Sequence, residues 1–419
     1  MTLLSTEADG LSIPDLTDQQ TFADEVPHAA FAAIQRLPGL YWQPTLLATT
    51  NGGFWAVTRF ADIQAVEKDP ETFTSTRGAA YPLMTSTTID TTGQDNLMHT
   101  DPPRHTRLRR AAAKGFSPRV VANFEPWVRA IVRDVLNDVA DKAEFDCVEE
   151  FAKTIPARVI SRVLGVPPND RQRVIDWANL VFAATQQGSL AEGATAFEKM
   201  EVVGRGIGQY IIEIQEIKRR HPDDDMLTAM SECAARGEIS QAEFVQWMTL
   251  MLLAGFETTH TAIGQSMRMY LEDSDIRAAT NRAVAEGKND RVADEYLRLI
   301  CPPMQMARTA TRDLEFAGQQ IREGDVMVLY YVAANRDPAV YSEPHRFNPW
   351  RAERTTLAFG SGVHRCIGSH LAKLEVQIFW EECCAAGLQL RLNGTPKRGW
   401  SNFINQLTAL PVAQVVPRV

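Results

Sequence analysis

The chain has 419 residues, 45% hydrophobic and 23% charged, ordinary proportions for a globular protein that buries a large core. Its net charge of -9 argues against nucleic acid as a main partner, because such partners demand a basic surface. No window approaches the about 18 uninterrupted apolar residues of a membrane anchor; the longest, Trp247 to Phe256, is broken by Thr249 and Gly255. The first residues lack both the basic start and the apolar stretch of a signal peptide. The cysteines (Cys147, Cys233, Cys301, Cys366, Cys383, Cys384) form no CxxC pair and show no disulfide-like spacing. A cytoplasmic location is expected.

In chain order, a short strand is expected at Phe54 to Thr58. Helical periodicity follows over Val120 to Asp141, Arg171 to Thr185, Phe197 to Arg220 and Gln241 to Glu272. A second strand-like piece spans Gln320 to Leu329, and others lie beyond Gln389. Between Asp337 and Thr356 the Pro- and charge-rich composition reads as a long ordered loop, and Ser369 to Ala385 as a helix. The fold class is mainly α with a minor β portion. With no repeat or flexible linker, residues 1–419 are expected to form one domain.

The helix from Gln241 is the most informative of these. Ser240 and Glu243 form a capping box at its start, and its length is roughly 45 to 50 Å at 1.5 Å per residue. Its middle, from Trp247 to Phe256, is apolar on every face, so it should thread the core. Glu257, Thr258, Thr259 and His260 follow without a break. Polar groups midway along a buried helix are costly unless partnered. That cost suggests a function, against the bland alternative of a threonine bonding back to a carbonyl one turn earlier.

The second informative segment is FGSGVHRCIG, Phe359 to Gly368. Gly360 and Gly362 permit backbone conformations closed to other residues. The helix that begins just after Cys366 offers free N–H groups and a positive dipole end, which favour a thiolate. Gly368 leaves room for a flat ligand.

This run resembles the cysteine-ligand loop of cytochromes P450, FGxGx(H/R)xCxG. Three further matches follow the family's order. AGFETT (Ala254 to Thr259) resembles AGx(D/E)TT on the long central helix; Glu295 and Arg298 match ExxR; and DPPRHTRLR (Asp101 to Arg109) is similar to DPPxHxxxR of the soluble bacterial members. The resemblance covers residues 100–419, with 1–99 matched loosely. Thr356 departs from it, standing where many bacterial members carry a histidine.

The resemblance implies a cytochrome P450 fold, its long central helix lying over the haem. It also implies a monooxygenase, with haem b held non-covalently (there is no CxxCH motif) and Cys366 as axial ligand to the iron. It assigns His105, Arg109, Arg308 and His364 to the haem propionates, Ala254 and Gly255 to a notch for O2, Thr258 to a hydrogen bond donated to the oxygen under reduction, and Glu257 to a proton relay from solvent. Glu295, Arg298 and Arg351 are expected to brace the cysteine loop. The substrate pocket would draw on Tyr81, Leu83, Met84, Val181, Phe182, Leu253, Met304, Met306, Ile404 and Leu407, an apolar, Met-rich set suited to a hydrophobic ligand, with a lean toward terpenoids or steroids. Other readings stay open: peroxide-driven or oxidative-coupling chemistry in the same family, or a haem-containing sensor.

No Gly-rich dinucleotide fingerprint follows a strand, and the chain ends about fifty residues after Cys366. Electrons are therefore expected from a separate ferredoxin with its reductase. Arg109, Arg110, Lys114, Arg365 and Lys373 form a basic cluster near the cysteine in an acidic chain, a docking face for an acidic partner. A monomer is expected.

Overall fold

The structure, a computed structural model, describes residues 6–8, 11–45, 49–80, 84–85, 97–184 and 194–415. The principal helices are α1 (His28–Arg36), α2 (Phe60–Lys68), α3 (Arg104–Ala113), α4 (Glu125–Asp138), α5 (Thr154–Leu164) and α6 (Arg171–Ala184). They continue with α7 (Ala194–Arg220), α8 (Met226–Ala235), α9 (Gln241–Glu272), α10 (Ser274–Ala285), α11 (Asn289–Ile300) and α12 (Ser369–Ala385). The main sheet contains β1 (Tyr41–Pro44), β2 (Gly53–Val57), β3 (Phe73–Thr74), β4 (Met306–Ala310) and β5 (Val326–Leu329). Its order is β1-β2-β5-β4-β3, with only β2 and β5 parallel. The sheet therefore interleaves strands from the first eighty residues with strands beyond residue 300. Among the described residues no helix is long and apolar enough to cross a membrane.

The expected elements recur with small changes of boundary. The helix read as Val120 to Asp141 begins at Glu125, where Pro126 occupies its first turn, a position that tolerates the missing N–H. The piece read as Gln320 to Leu329 is two strands, Gln319–Ile321 and Val326–Leu329, because Gly324 turns the chain at φ +86°. Residues 337–356 hold neither helix nor strand. That loop is supported instead by buried charge. Glu295 accepts from Arg298 at 2.8 and 2.9 Å, from Arg351 Nε at 2.9 Å and from the Asn348 N–H at 2.9 Å. The arginines in turn donate to the carbonyls of Asn335, Pro344, Ser342 and Arg346. All three side chains are at most 3% exposed, so each charge is tolerated only because the others complete its coordination.

The central helix α9 starts with both halves of the capping box: Glu243 N–H to Ser240 Oγ at 3.0 Å and Ser240 N–H to Glu243 Oε2 at 2.8 Å. The same buried carboxylate also receives Arg104 Nε at 3.1 Å and Arg107 Nη2 at 2.6 Å from α3. One residue thus caps the central helix and pins the helix that carries His105 and Arg109. Burial opposes ionisation of Glu243, but hydrogen bonds from Ser240, Arg107 and Arg104 outweigh it and hold the carboxyl below its ordinary 4.5. A group whose pKa is depressed on folding stabilises above its unfolded value and loses that contribution as pH falls through the folded one. Glu243→Gln should therefore lower the thermal unfolding midpoint at neutral pH. The gap to the parent chain should close progressively as pH drops below 4.5; a gap that is unchanged down the acid limb would assign the loss to something other than this carboxylate.

Candidate active site

The segment from Phe359 to Gly368 forms a tight loop ahead of α12, closed by a hydrogen bond from the Cys366 N–H to the Phe359 carbonyl at 2.9 Å. Gly360 and Gly362 both adopt positive φ, +62° and +63°. At Gly362 a Cβ would also come within 2.1 Å of the Glu67 carbonyl oxygen, so glycine is required there for space as well as conformation. Gly368 has negative φ, and a Cβ there would lie 4.0 Å from the Cys366 sulfur; its value is openness beside the thiol. Cys366 has solvent-accessible surface facing the cavity it lines. Burial pushes its thiol up, against the opposing pull of the Gly368 N–H, Arg109 and Arg365.

That cavity, together with the solvent space at its mouth, spans about 1370 Å³ free of protein atoms. It is lined by Cys366, Ile367 and Gly368 of the cysteine loop and by Leu250, Met251, Ala254, Gly255, Thr258, Thr259 and Ala262 of α9. These positions follow the 3.6-residue period of one helical face. A Cβ at Gly255 would meet Ile160 Cδ1 at 2.7 Å, so the small residue both opens the cavity and lets α5 approach α9. Thr258 donates its hydroxyl proton to the Ala254 carbonyl at 2.8 Å. Its oxygen lone pairs remain to accept, so in this rotamer it is an acceptor toward the cavity rather than the donor expected from sequence. Glu257 does not line the cavity. It is buried beside the wall, with Oε2 3.3 Å from His260 Nδ1 and Oε1 without a hydrogen-bond partner among the described residues.

One end of the cavity gathers basic side chains: His105, Arg109, Arg308 and His364 all line it. The two imidazoles lie 4.3 Å apart, centroid to centroid. His364 Nε2 is 3.1 Å from Ser75 Oγ and 3.6 Å from Asp101 Oδ1, so the aspartate of the DPP segment orients it. Burial, then the charges of His364 and Arg109, push His105 down to about 3; burial likewise lowers His364 against the hydrogen bond to Asp101. Arg109 Nη2 donates to the Arg365 carbonyl at 2.6 Å. His105 Nε2 is buried without a partner among the described residues. Such a corner suits acidic groups of a ligand. A flat apolar body with carboxylates at one edge and a thiol-seeking metal at its centre matches the cavity's walls, corner and floor.

The residues expected to form the substrate pocket separate into three groups. Met306 lines the cavity. Leu253, Met304, Ile404 and Leu407 do not: Met304 and Leu407 are at most 1% exposed in the packed core, and Leu253 falls one residue off the cavity-facing stripe of α9 and packs against the core instead. Tyr81 and Leu83 lie outside the described residues, as do the side chains of Met84, Val181 and Phe182. Among residues not foreseen, Leu250 and Met251 were legible one turn before Ala254 on the same stripe, whereas Leu97, Phe116 and Ile160 carry no local signal. Within the expected docking cluster, Arg110 and Arg365 are exposed, while Lys373 is held by Asp294 at 2.5 Å. The Lys114 side chain lies outside the description.

A helical fold with a cysteine at the floor of an apolar cavity and cations at its edge defines a haem-thiolate site. Comparison with known proteins agrees. The family profile described as Cytochrome P450 matches residues 289–383. The cytochrome P450 numbered 126 of Mycobacterium tuberculosis is 34% identical over 389 residues, covering 90% of this chain and 91% of that protein. The steroid C26-monooxygenase of the same organism is 28% identical over 405 residues, 93% and 90% of the two chains. Cytochrome P450 CYP268A2 of Mycobacterium marinum, solved with pseudoionone, superposes with a TM-score of 0.86 at 25% identity, covering 97% and 99%. The chain belongs to the cytochrome P450 family. It is an oxidoreductase of the monooxygenase kind, with haem b bound through a cysteine thiolate and with an organic substrate and O2 as reactants.

Proposed function

We propose that this chain hydroxylates a hydrophobic substrate of terpenoid or steroid character at a haem ligated by Cys366, using electrons from a separate ferredoxin. The observation that carries the reading is the single cavity that joins Cys366, the cationic corner and the Thr258 face of α9. Its apolar lining supports a hydrophobic substrate, and the 28% identity to a steroid C26-monooxygenase supports the steroid-like lean. Bound haem supplies oxygen binding and one-electron chemistry, with a thiolate favouring O–O cleavage.

Each residue's part follows from its surroundings. Arg109, Arg308, His105 and His364 hold the propionates and so fix the orientation of the macrocycle, the arginines through charge-assisted contacts. Ala254 and Gly255 leave space on α9 above it. Thr258, its own proton tied to Ala254, accepts a hydrogen bond and thereby orders a proton-bearing group beside the reacting atoms. Glu257 Oε1 takes protons arriving from outside the cavity and passes them toward Thr258, its other oxygen steadied by His260. Apolar walls exclude water that would otherwise divert those protons. Glu295, Arg298 and Arg351 hold the loop that leads into the ligand segment.

Three measurements test this. Cys366→Ser should abolish the long-wavelength band of the ferrous–CO complex, which a thiolate ligand is needed to produce; retention of the band would remove Cys366 as ligand. Thr258→Ala should keep haem and substrate binding, the latter read as a Soret shift with steroids and terpenoids. It should lower product formed per reductant consumed, since a positioned proton-transfer group is worth about 100- to 10,000-fold; an unchanged ratio would take Thr258 out of proton delivery. Finally, Arg110→Glu should raise the ferredoxin concentration needed for half-maximal turnover without altering substrate binding. Rising salt should weaken the unmodified pair, because exposed charges are screened beyond about 8 Å at physiological ionic strength. Salt-independent reduction would put the docking face elsewhere.

A further inference from the structure

Behind the cavity wall, at the end of α2, Glu67 is buried with its side chain only 1% exposed. Its two oxygens face in different directions. Oε2 accepts from the Ser361 N–H at 2.7 Å and the Ser361 hydroxyl at 2.6 Å, both in the cysteine loop. Oε1 accepts from the Tyr331 hydroxyl and lies 3.8 Å from Arg308 Nη2, and Tyr331 and Arg308 line the cavity. The backbone of the same residue presses on the loop as well, since its carbonyl oxygen occupies the space a side chain at Gly362 would need. Burial keeps the Tyr331 phenol protonated, and so a donor.

A buried carboxylate in an ordinary core would be matched by the nearest cation at hydrogen-bond distance. Here the three close partners are neutral donors, and Arg308 stands just beyond hydrogen-bond range. Arg308 is held near Glu67 and also lines the cavity. We infer that Glu67 is a positioning residue: one carboxylate fixes the spacing between the loop that carries Cys366 and the wall that carries Arg308. The sulfur that ligates the iron and the cation that meets the propionates are thereby referenced to one side chain. The inference rests on the assignment of Cys366 as ligand.

Glu67→Gln tests it, because the amide places an N–H₂ against at least one of three donors and breaks the pattern while keeping the volume. The readout is the lifetime of the long-wavelength ferrous–CO band, measured for each protein at a temperature equally far below its own unfolding midpoint. Loss of a hydrogen-bonded charge of this kind corresponds to a shortening of about ten-fold or more. Ser361→Ala removes one donor and leaves the N–H, so it should shorten the lifetime less, and it serves if the Gln variant fails to fold. The double variant should be no worse than Glu67→Gln alone. An unchanged lifetime at matched stability in either single variant, or additive effects in the double, would reduce Glu67 to an ordinary core residue. Cys366→Ser is the control: if it keeps the band, the ligand assignment has failed; if it loses the band while Glu67→Gln holds it, the positioning role alone has failed.

Discussion

Holding a sulfur ready to ligate a metal, at the floor of a cavity walled by hydrocarbon, is the constraint around which the molecule is arranged. Burial by itself drives the Cys366 thiol toward its neutral form. The opposing influences are few: the Gly368 N–H, and the charges of Arg109 and Arg365. Each requires a particular backbone path. The path needs two left-handed glycines, and its approach is the irregular segment hung from Glu295, Arg298 and Arg351. The helix that supplies Arg109 is in turn fastened to the start of the central helix through Glu243. Networks that look like separate pieces of scaffolding converge on one atom.

What could be read from sequence was what is encoded locally. The capping box at Ser240 and the helix that begins after Gly368 each depend on residues a few places apart, and both recur in the fold. Arg298 and Arg351 also meet at Glu295 as the motif implied. The pocket was less legible, because a cavity wall is set by which turn of which element faces inward. Leu253 is chemically indistinguishable from Leu250, yet it sits one helical step of about 100° before Ala254, and that step separates packing from lining. Glu67 was invisible for a different reason: its partners lie far along the chain, and nothing next to it announces them. The one trace is positional, since Ile63, Val66 and Glu67 share the buried face of α2, where a carboxylate is out of place without distant donors.

The central helix shows that bland and functional explanations can hold together at one residue. Thr258 does bond back to the carbonyl one turn earlier, the ordinary way for a buried helix to satisfy a hydroxyl. That same bond fixes which way its lone pairs point. Gly255 is needed for α5 to pack against α9, and the same missing side chain widens the cavity. Glu257 and His260 pair across one turn, leaving one oxygen and one nitrogen unmatched among the described residues.

The spread of these partners along the chain also dictates an order of assembly. Ser361 follows Glu67 by 294 residues, and β2 finds its parallel neighbour only once β5 has been made. A chain still emerging from the ribosome can form the central helix and much of the helical bulk, but it has neither the floor nor the cationic edge of the cavity. Contacts this distant must wait for loop closure. The cavity's floor and basic edge therefore cannot be complete until the chain has been made at least as far as Cys366.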